Sequence, residues 1–382
     1  MQYRKFGRLD WKVSALGFGA MRLPVVQGNR AAVEEPEAIS MIRYAIDHGV
    51  NYVDTAYFYH DGQSERVVGK ALRDGYREKV KLATKLPVRI IESAQDFDRY
   101  FNEQFERLQT DKFDFYLLHG LDAVNWPKMR DMGVLRWLEK QMARGRFDYL
   151  GFSFHDTYDT FKGIVDAYDN WTFCQVLYNY MDVAYQAGRR GVEYAAGKGL
   201  GLVVMEPLRG GQLSQEPPPQ IAKIFESDKQ KRRPVEWSLL WVWNQPEISV
   251  ALSGMSKMEQ VVENVAIAER SGPGKLTAGE LALFDELRDA YEELKAIPCT
   301  SCGYCMPCTS GVEIPAIFKI YNEAMVNNDL PRARLRYRGM SGLRAEQRAD
   351  QCVECGECTD ACPQHLPTTD WLKKVHELLG PK

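Results

Sequence analysis

Eight of the nine cysteines in this chain fall into two short runs: Cys299, Cys302, Cys305 and Cys308, then Cys352, Cys355, Cys358 and Cys362, with Pro363 behind the last. Thiolates two residues apart converge on one side of a loop and suit metal. The second run, CxxCxxCxxxCP, has the spacing that holds cubane iron–sulfur clusters. Structural zinc is the alternative, but zinc sites pair two CxxC elements across a spacer, and consecutive CxxC steps would crowd one tetrahedral ion. The first run departs from the pattern, with two residues before its last cysteine and Thr309 where proline is usual, which sets Cys308 apart. Cys174, in the apolar stretch FCQVLY, reads as a buried small hydrophobe.

A second group could move protons: Asp54 and Tyr59 in VDTAYFYH, Lys85 in ATKLP and His119 in YLLHG. Reducing a carbonyl needs hydride on carbon and a proton on oxygen, so a general acid must reach that oxygen. A phenol at its ordinary pKa of about 10 holds its proton too tightly. A lysine ammonium beside it favours phenolate, and an aspartate beside the lysine keeps the ammonium charged and placed. Tyr59 is then the acid, Lys85 its tuner, Asp54 the anchor and His119 a donor to the substrate oxygen. Singly, each has a plainer reading as loop cap, surface lysine, packing ring or structural histidine; together they point to catalysis.

These residues need a scaffold that brings them to one place. Short apolar runs alternate with helical stretches: SALGFGAM (14 to 21), YVDTA (52 to 56), VKLATKL (80 to 86), DFYLLHG (114 to 120), YLGFSFH (149 to 155), FCQVLYN (173 to 179), GLVVMEP (201 to 207) and SVALSGM (249 to 255). The runs are continuous rather than alternating, as parallel strands covered on both faces should be. Eight β-α pairs predict a (β/α)8 TIM barrel with its chemistry at the C-terminal strand ends, where strands two, three and four would present the four residues. A doubly wound sheet is the alternative, weakened by the lack of GxGxxG after the first strand. Gly7 suggests a hairpin ahead of strand one, QEPPPQ (215 to 220) a loop over the barrel mouth, and Thr277 a helix cap. Composition changes abruptly at Ile297-Pro298-Cys299, dividing the chain into a barrel, 1–296, and a small α-rich module, 297–382.

On these residues the chain resembles the aldo-keto reductases, over about residues 1 to 295, and GFSFH, YNYMD, MEPLRGG and ALSGM resemble the subgroup with C-terminal ferredoxin-type tails. The resemblance implies the Asp54, Tyr59, Lys85, His119 tetrad; its five-position spacing from Asp54 favours Tyr59 over Tyr57, although strand geometry would put both phenols on one face. His60 and His155 are further candidates to reach the mouth. The resemblance also implies nicotinamide bound across the mouth, with Gly19, Met21, Arg22, Glu206 and Leu208 among its contacts and Ser153 and Gln175 on the carboxamide. Phe154 stands where the family commonly has asparagine. Gly254, Ser256, Gln260, Glu263 and Asn264 match positions that grip the adenosine end. Ser256 and Lys257 begin a helix whose free N–H groups suit a phosphate, and Lys257 leans the reading toward NADP(H). By the ferredoxin likeness, Cys299, Cys302, Cys305 and Cys362 hold one [4Fe-4S] cluster, and Cys352, Cys355, Cys358 and Cys308 the other.

At 382 residues, 45% apolar, 26% charged and with net charge -3, the chain has the composition of a globular protein and no basic field for nucleic acid. No stretch approaches 18 apolar residues and the N-terminus has no apolar signal core, so a cytoplasmic protein away from the membrane is expected. The expected substrate is a small carbonyl compound or alcohol. Clusters pass single electrons whereas nicotinamide passes two, so a ferredoxin-type redox partner would need something to convert between them, and a flavin bound in the barrel is one form it could take. A third reading is a redox-sensing binding protein on a dormant barrel. Purified without oxygen, the protein is expected to carry about eight irons and about eight sulfides per chain; about two zinc ions instead would overturn the cluster reading.

Overall fold

The computed structural model describes residues 1–227, 230–294, 297–327, 329–339 and 342–381. The chain forms two compact units, Met1–Pro207 with Glu236–Leu276, and Leu208–Val235 with Thr277–Lys382.

The first unit opens with an antiparallel hairpin, β1 (Tyr3–Lys5) and β2 (Lys12–Ser14). Eight parallel strands follow: β3 (Leu16–Gly19), β4 (Tyr52–Asp54), β5 (Lys81–Leu86), β6 (Phe113–Leu121), β7 (Phe147–Phe154), β8 (Phe173–Leu177), β9 (Gly201–Met205) and β10 (Val250–Gly254). They close into a barrel in the order β10-β3-β4-β5-β6-β7-β8-β9, so each of the eight apolar runs is a barrel strand. All nine residues of β6 are buried, as expected of a strand walled by neighbours and helices. The helices of this unit used below are α1 (Glu35–Asp47), α2 (Gln63–Ala71), α3 (Gln95–Leu108) and α4 (Asn125–Asp131), then α5 (Val134–Ala143), α6 (Tyr158–Asp166) and α7 (Gly188–Gly197).

The hairpin plugs the end of the barrel opposite the catalytic candidates. Phe6 is fully buried among Tyr52, Phe115 and Phe173, with ring centroids 6.1, 5.0 and 5.8 Å away. Gly7 then turns the chain with φ +54, and a Cβ there would lie 2.3 Å from the Gly201 nitrogen. Sealing one end with aromatic rings leaves the strand C-termini as the open chemical face.

In the second unit α8 (Pro219–Glu226) packs on α11 (Ala278–Glu293). Thr277 caps α11 in a reciprocal box with Glu280, as expected from sequence. The remaining helices, α12 (Ile314–Asn327), α13 (Leu330–Tyr337), α14 (Glu357–Asp360) and α15 (Thr368–Leu379), share a core of Ile297, Val312, Ile317, Phe318, Tyr337, Leu372 and Val375, against which most of the cysteines pack. By contacts, residues 208–235 and 277–296 group with the cysteine segment. QEPPPQ leads into α8, and the segment before it is tied to the first cysteine run: Gln212 Nε2 donates to the Cys299 carbonyl, and Gly210 lies so near Thr300 that a Cβ would meet its oxygen at 2.3 Å. Helix α9 (Pro234–Asn244) precedes β10 and α10 (Met258–Arg270) follows it. Among the described residues no helix is long and apolar enough to cross a membrane.

Gly7→Ala is expected to lower stability by about 2 kcal/mol or more, from strained backbone and a backbone clash together. The check is the urea midpoint followed by tryptophan fluorescence; a midpoint equal to the parent's would show that the plug tolerates a side chain there.

Candidate active site and cysteine-lined voids

Strand register sets the proton-handling residues side by side. Asp54 ends β4 opposite Ala83 of β5, and Lys85, two residues further along β5, lies opposite Leu117 of β6. Lys85 Nζ donates to Asp54 Oδ1 at 2.6 Å and to the Thr55 carbonyl at 2.8 Å, with side chains 0% and 2% exposed. Burial pulls the Lys85 pKa down, and the Asp54 charge resists it. Burial likewise pushes Asp54 up against the pull of Lys85. The ammonium lies 5.0 Å from the centroid of the buried Tyr59 ring, which meets the His119 imidazole edge-on at 5.9 Å. Burial first, then the charges of Lys85, Arg89 and His155, hold His119 well below the usual imidazole range, so it is a neutral ring. The four residues named from sequence thus share one place.

Tyr57 does not share it. The chain leaves the strand after Asp54, so the alternation that would align Tyr57 with Tyr59 no longer applies; Tyr57 instead donates to Glu103 Oε2 at 2.7 Å under the Arg107 guanidinium. Burial and the Glu103 hydrogen bond push its phenol up to about 12. His60, with φ +53, is a clasp between loops: its Nε2 accepts from the Leu23 N–H at 3.0 Å and its Nδ1 pairs with the Arg30 carbonyl at 2.9 Å. His155 donates its backbone N–H to Leu121.

Of the expected cofactor contacts, Gly19, Ser153, Gln175 and Gly254 lie on barrel strands. Ser153 Oγ accepts from the Gly120 N–H at 2.8 Å and stands opposite Gln175. Gln175 is buried, and its Oε1 has no hydrogen-bond partner. A primary amide supplies the missing N–H, so a carboxamide fits this position. Phe154 is buried against Phe161 of α6, where an asparagine's polar end would have no such apolar seat. Gly19 ends β3 between Asp54 and Gly254, and Met21 and Arg22 follow in a single turn whose Arg22 stem lies along Gly254. Ser256 donates its N–H to Gln260, Asn264 Nδ2 donates to Ser253 Oγ at 2.8 Å, and Glu263 lies half-buried on α10. Lys257 is the exposed residue at the N-cap of α10, where free N–H groups favour an anion. Glu206 takes φ +56 and its carbonyl accepts from Asn179, while Leu208 belongs to the second unit.

Sequence inspection passed over a buried polar group behind the site: Glu65, Thr84, Gln104 and Arg107. The signal was present. Glu65 shares the apolar face of α2 with Val68 and Leu72, and Gln104 that of α3 with Phe97, Phe101 and Leu108, where a polar residue needs a partner.

In the second unit, Cys299, Cys302, Cys305 and Cys362 border one void of about 20 Å³. Cys308, Cys352, Cys355 and Cys358 border another of about 130 Å³, and Cys305 and Ile314 line both. Burial, then Cys302, Cys299 and Cys362, push the Cys305 thiol up to about 12, a sign of the same grouping. Among the described residues no three Cys, His, Asp or Glu side chains gather closely enough for a single ion.

Tyrosine, lysine, histidine and aspartate brought together in this way can hold and move protons. Comparison with known proteins makes the class specific. Residues 15–288 match the Aldo/keto reductase family and residues 298–367 a 4Fe-4S dicluster domain. The chain belongs to the aldo/keto reductase family and carries a 4Fe-4S dicluster domain. It is 28% identical over 285 residues to the L-galactose dehydrogenase of Arabidopsis thaliana, covering 70% of this chain and 88% of that protein. Among solved structures, the holo form of a Bacillus halodurans aldo-keto reductase superposes with TM-score 0.62 and 28% identity, covering 75% of this chain and 96% of that one. A Klebsiella pneumoniae aldo/keto reductase in complex with NADP and acetate gives TM-score 0.60 and 26% identity, covering 75% and 95%.

A histidine kept neutral by folding makes stability rise with pH wherever the unfolded chain binds the proton and the folded chain does not. His119 and His60 both have lowered values, so stability should fall as pH drops below about 6.5, the unfolded histidine value. In urea titrations at stepped pH, His119→Gln should flatten that fall; a slope equal to the parent's would show that His119 is not held neutral.

Proposed function

We propose that the protein is a nicotinamide-dependent carbonyl reductase, or alcohol dehydrogenase in the reverse direction, whose C-terminal cysteines hold two [4Fe-4S] clusters. The observation that carries the reading is the buried Lys85–Asp54 pair with its ammonium 5.0 Å from the Tyr59 ring. Bound nicotinamide supplies the hydride. Tyr59 holds the proton that the carbonyl oxygen takes, and accepts it back when an alcohol is oxidised. Lys85 stabilises the phenolate left behind, and Asp54 keeps Lys85 protonated although both are buried. Neutral His119 donates a hydrogen bond to the substrate oxygen and brings no second cation beside Lys85.

Gln175 and Ser153 would hold the carboxamide, a role that the unpartnered Gln175 Oε1 supports. Gly19, Met21, Arg22, Glu206, Gly254, Ser256, Gln260, Glu263 and Asn264 would line the rest of the dinucleotide. Lys257 with the first turn of α10 suits a 2'-phosphate, hence NADP(H), and the Klebsiella relative was crystallised with NADP. For the clusters, the void linings favour Cys299, Cys302, Cys305 and Cys362 around one and Cys308, Cys352, Cys355 and Cys358 around the other. Cysteines grouped as cluster ligands and not joined in disulfides fit a cytoplasmic protein. A second reading, in which a ferredoxin-type partner feeds electrons through the clusters to a flavin or substrate, is favoured by the wall of Cys305 and Ile314 that both voids share.

Tyr59→Phe is expected to lower NADPH-linked carbonyl reduction by about 10²–10⁴-fold while NADPH binding, read by fluorescence quenching, persists. A variant that turns over like the parent, or a parent inert toward a broad panel of aldehydes and ketones, would count against the reading.

A further inference from the structure

We propose that Glu65 is a positioning residue for Lys85 and Tyr59, gripping the strand that carries one and the loop that carries the other, and supplying a second buried negative charge behind them. The proposal rests on the roles given above to Lys85 and Tyr59.

Glu65 lies in the first turn of α2 with its side chain 0% exposed. Its Oε1 accepts from Thr84 Oγ1 at 2.7 Å and from Gln104 Nε2 at 2.7 Å. The same Gln104 amide donates to the Lys85 carbonyl at 3.0 Å, and Tyr116 fixes its orientation by donating to Oε1 at 2.8 Å. Two consecutive residues of β5, Thr84 and Lys85, are thus held through one carboxylate. Glu65 Oε2 accepts from Arg107 Nη1 at 3.3 Å, and that nitrogen also donates to the Tyr57 carbonyl at 3.3 Å. The guanidinium lies 3.9 Å from the Tyr57 ring centroid and against Gly62, where a Cβ would come within 3.0 Å of Nη1. Tyr57 and Gly62 bracket Tyr59, so Arg107 braces both ends of the turn that presents the phenol.

Hydrogen bonding alone does not require a carboxylate there. A glutamine oxygen would accept from Thr84 and Gln104, and burying an anion is costly unless its charge is used or compensated. Arg107 compensates part of it, and Glu103 shares that arginine. The rest is felt by Lys85, whose proton is opposed by burial and favoured by Asp54 first and Glu65 after it. Around Lys85, then, stand Asp54 from β4 and Glu65 from α2, with His119 from β6 and Tyr59 on the mouth side; around Glu65 stand Arg107 from α3, Lys85 from β5 and Tyr116 from β6. Removing the Glu65 charge while keeping its shape should let Lys85 lose its proton more readily, and the phenol would lose its tuner at a lower pH.

The test compares Glu65→Gln and Glu65→Asp with the parent. The Lys85 titration is followed by 13C NMR of lysine-labelled protein, with Lys85→Met to assign the signal. The expected result is a Lys85 midpoint lower by about one pH unit in Glu65→Gln, restored in Glu65→Asp, with the alkaline limb of kcat moving the same way and KM for NADPH within about twofold. An unmoved Lys85 midpoint in Glu65→Gln overturns the proposal. Should that variant not fold, Arg107→Lys replaces it: a kcat at least about fivefold lower at unchanged KM supports the brace on the Tyr59 turn, and a parent-like kcat overturns it. A parent that reduces no carbonyl counts against the reductase reading, and the Lys85 titration still decides the role of Glu65.

Discussion

The site depends on a lysine and an aspartate buried together as one hydrogen-bonded pair. Removing one partner of a buried ion pair typically costs about 3–5 kcal/mol, because the other is left as an uncompensated charge. Lys85 and Asp54 are therefore a joint commitment of the fold: neither is replaceable alone, and each must arrive in the right strand register for the other to be tolerated. That constraint explains why β4 ends at Asp54 and why β5 runs on to Leu86, carrying Lys85 past its neighbour toward the mouth. It also explains the company the pair keeps, a Thr55 carbonyl on the ammonium and a neutral His119 that adds no second positive charge.

What could be read from sequence divides along a physical line. The eight strands were legible because a parallel barrel imposes an unbroken apolar run on each, and Phe113–Leu121 leaves little room for another assignment. The four catalytic candidates were legible because they sit just where those runs end. The expectation that Tyr57 shares a face with Tyr59 failed for a related reason: pattern gives no account of a chain once it leaves the strand, and His60 and Asp61 both take positive φ that no periodicity announces. Glu65 and Gln104 were passed over because a polar residue on an apolar helix face reads as noise until its partners are known.

The cysteine runs show the opposite case. Their spacing announced metal, and residues 298–367 match a 4Fe-4S dicluster domain; the crossed pairing that the resemblance implies stays a proposal, with Cys305 lining both voids. The extent of the unit around them was not legible, because helix α11 and the segment 208–235 carry no cysteine and look like ordinary parts of a barrel sequence.

That last grouping bears on how such a chain could be taken apart or recombined. Residues 208–214 continue directly from the strand that ends at Met205, yet the Gln212 amide and the Gly210 backbone are fitted to Cys299 and Thr300. A module cut at residue 297 and grafted onto another barrel would leave that receiving surface behind, and the donor barrel would keep a glycine-rich segment shaped for a neighbour it no longer has. A seam drawn at residue 297 thus cuts the contacts that residues 210 and 212 make with 299 and 300, although the barrel family's match, which runs to residue 288, includes both of those positions.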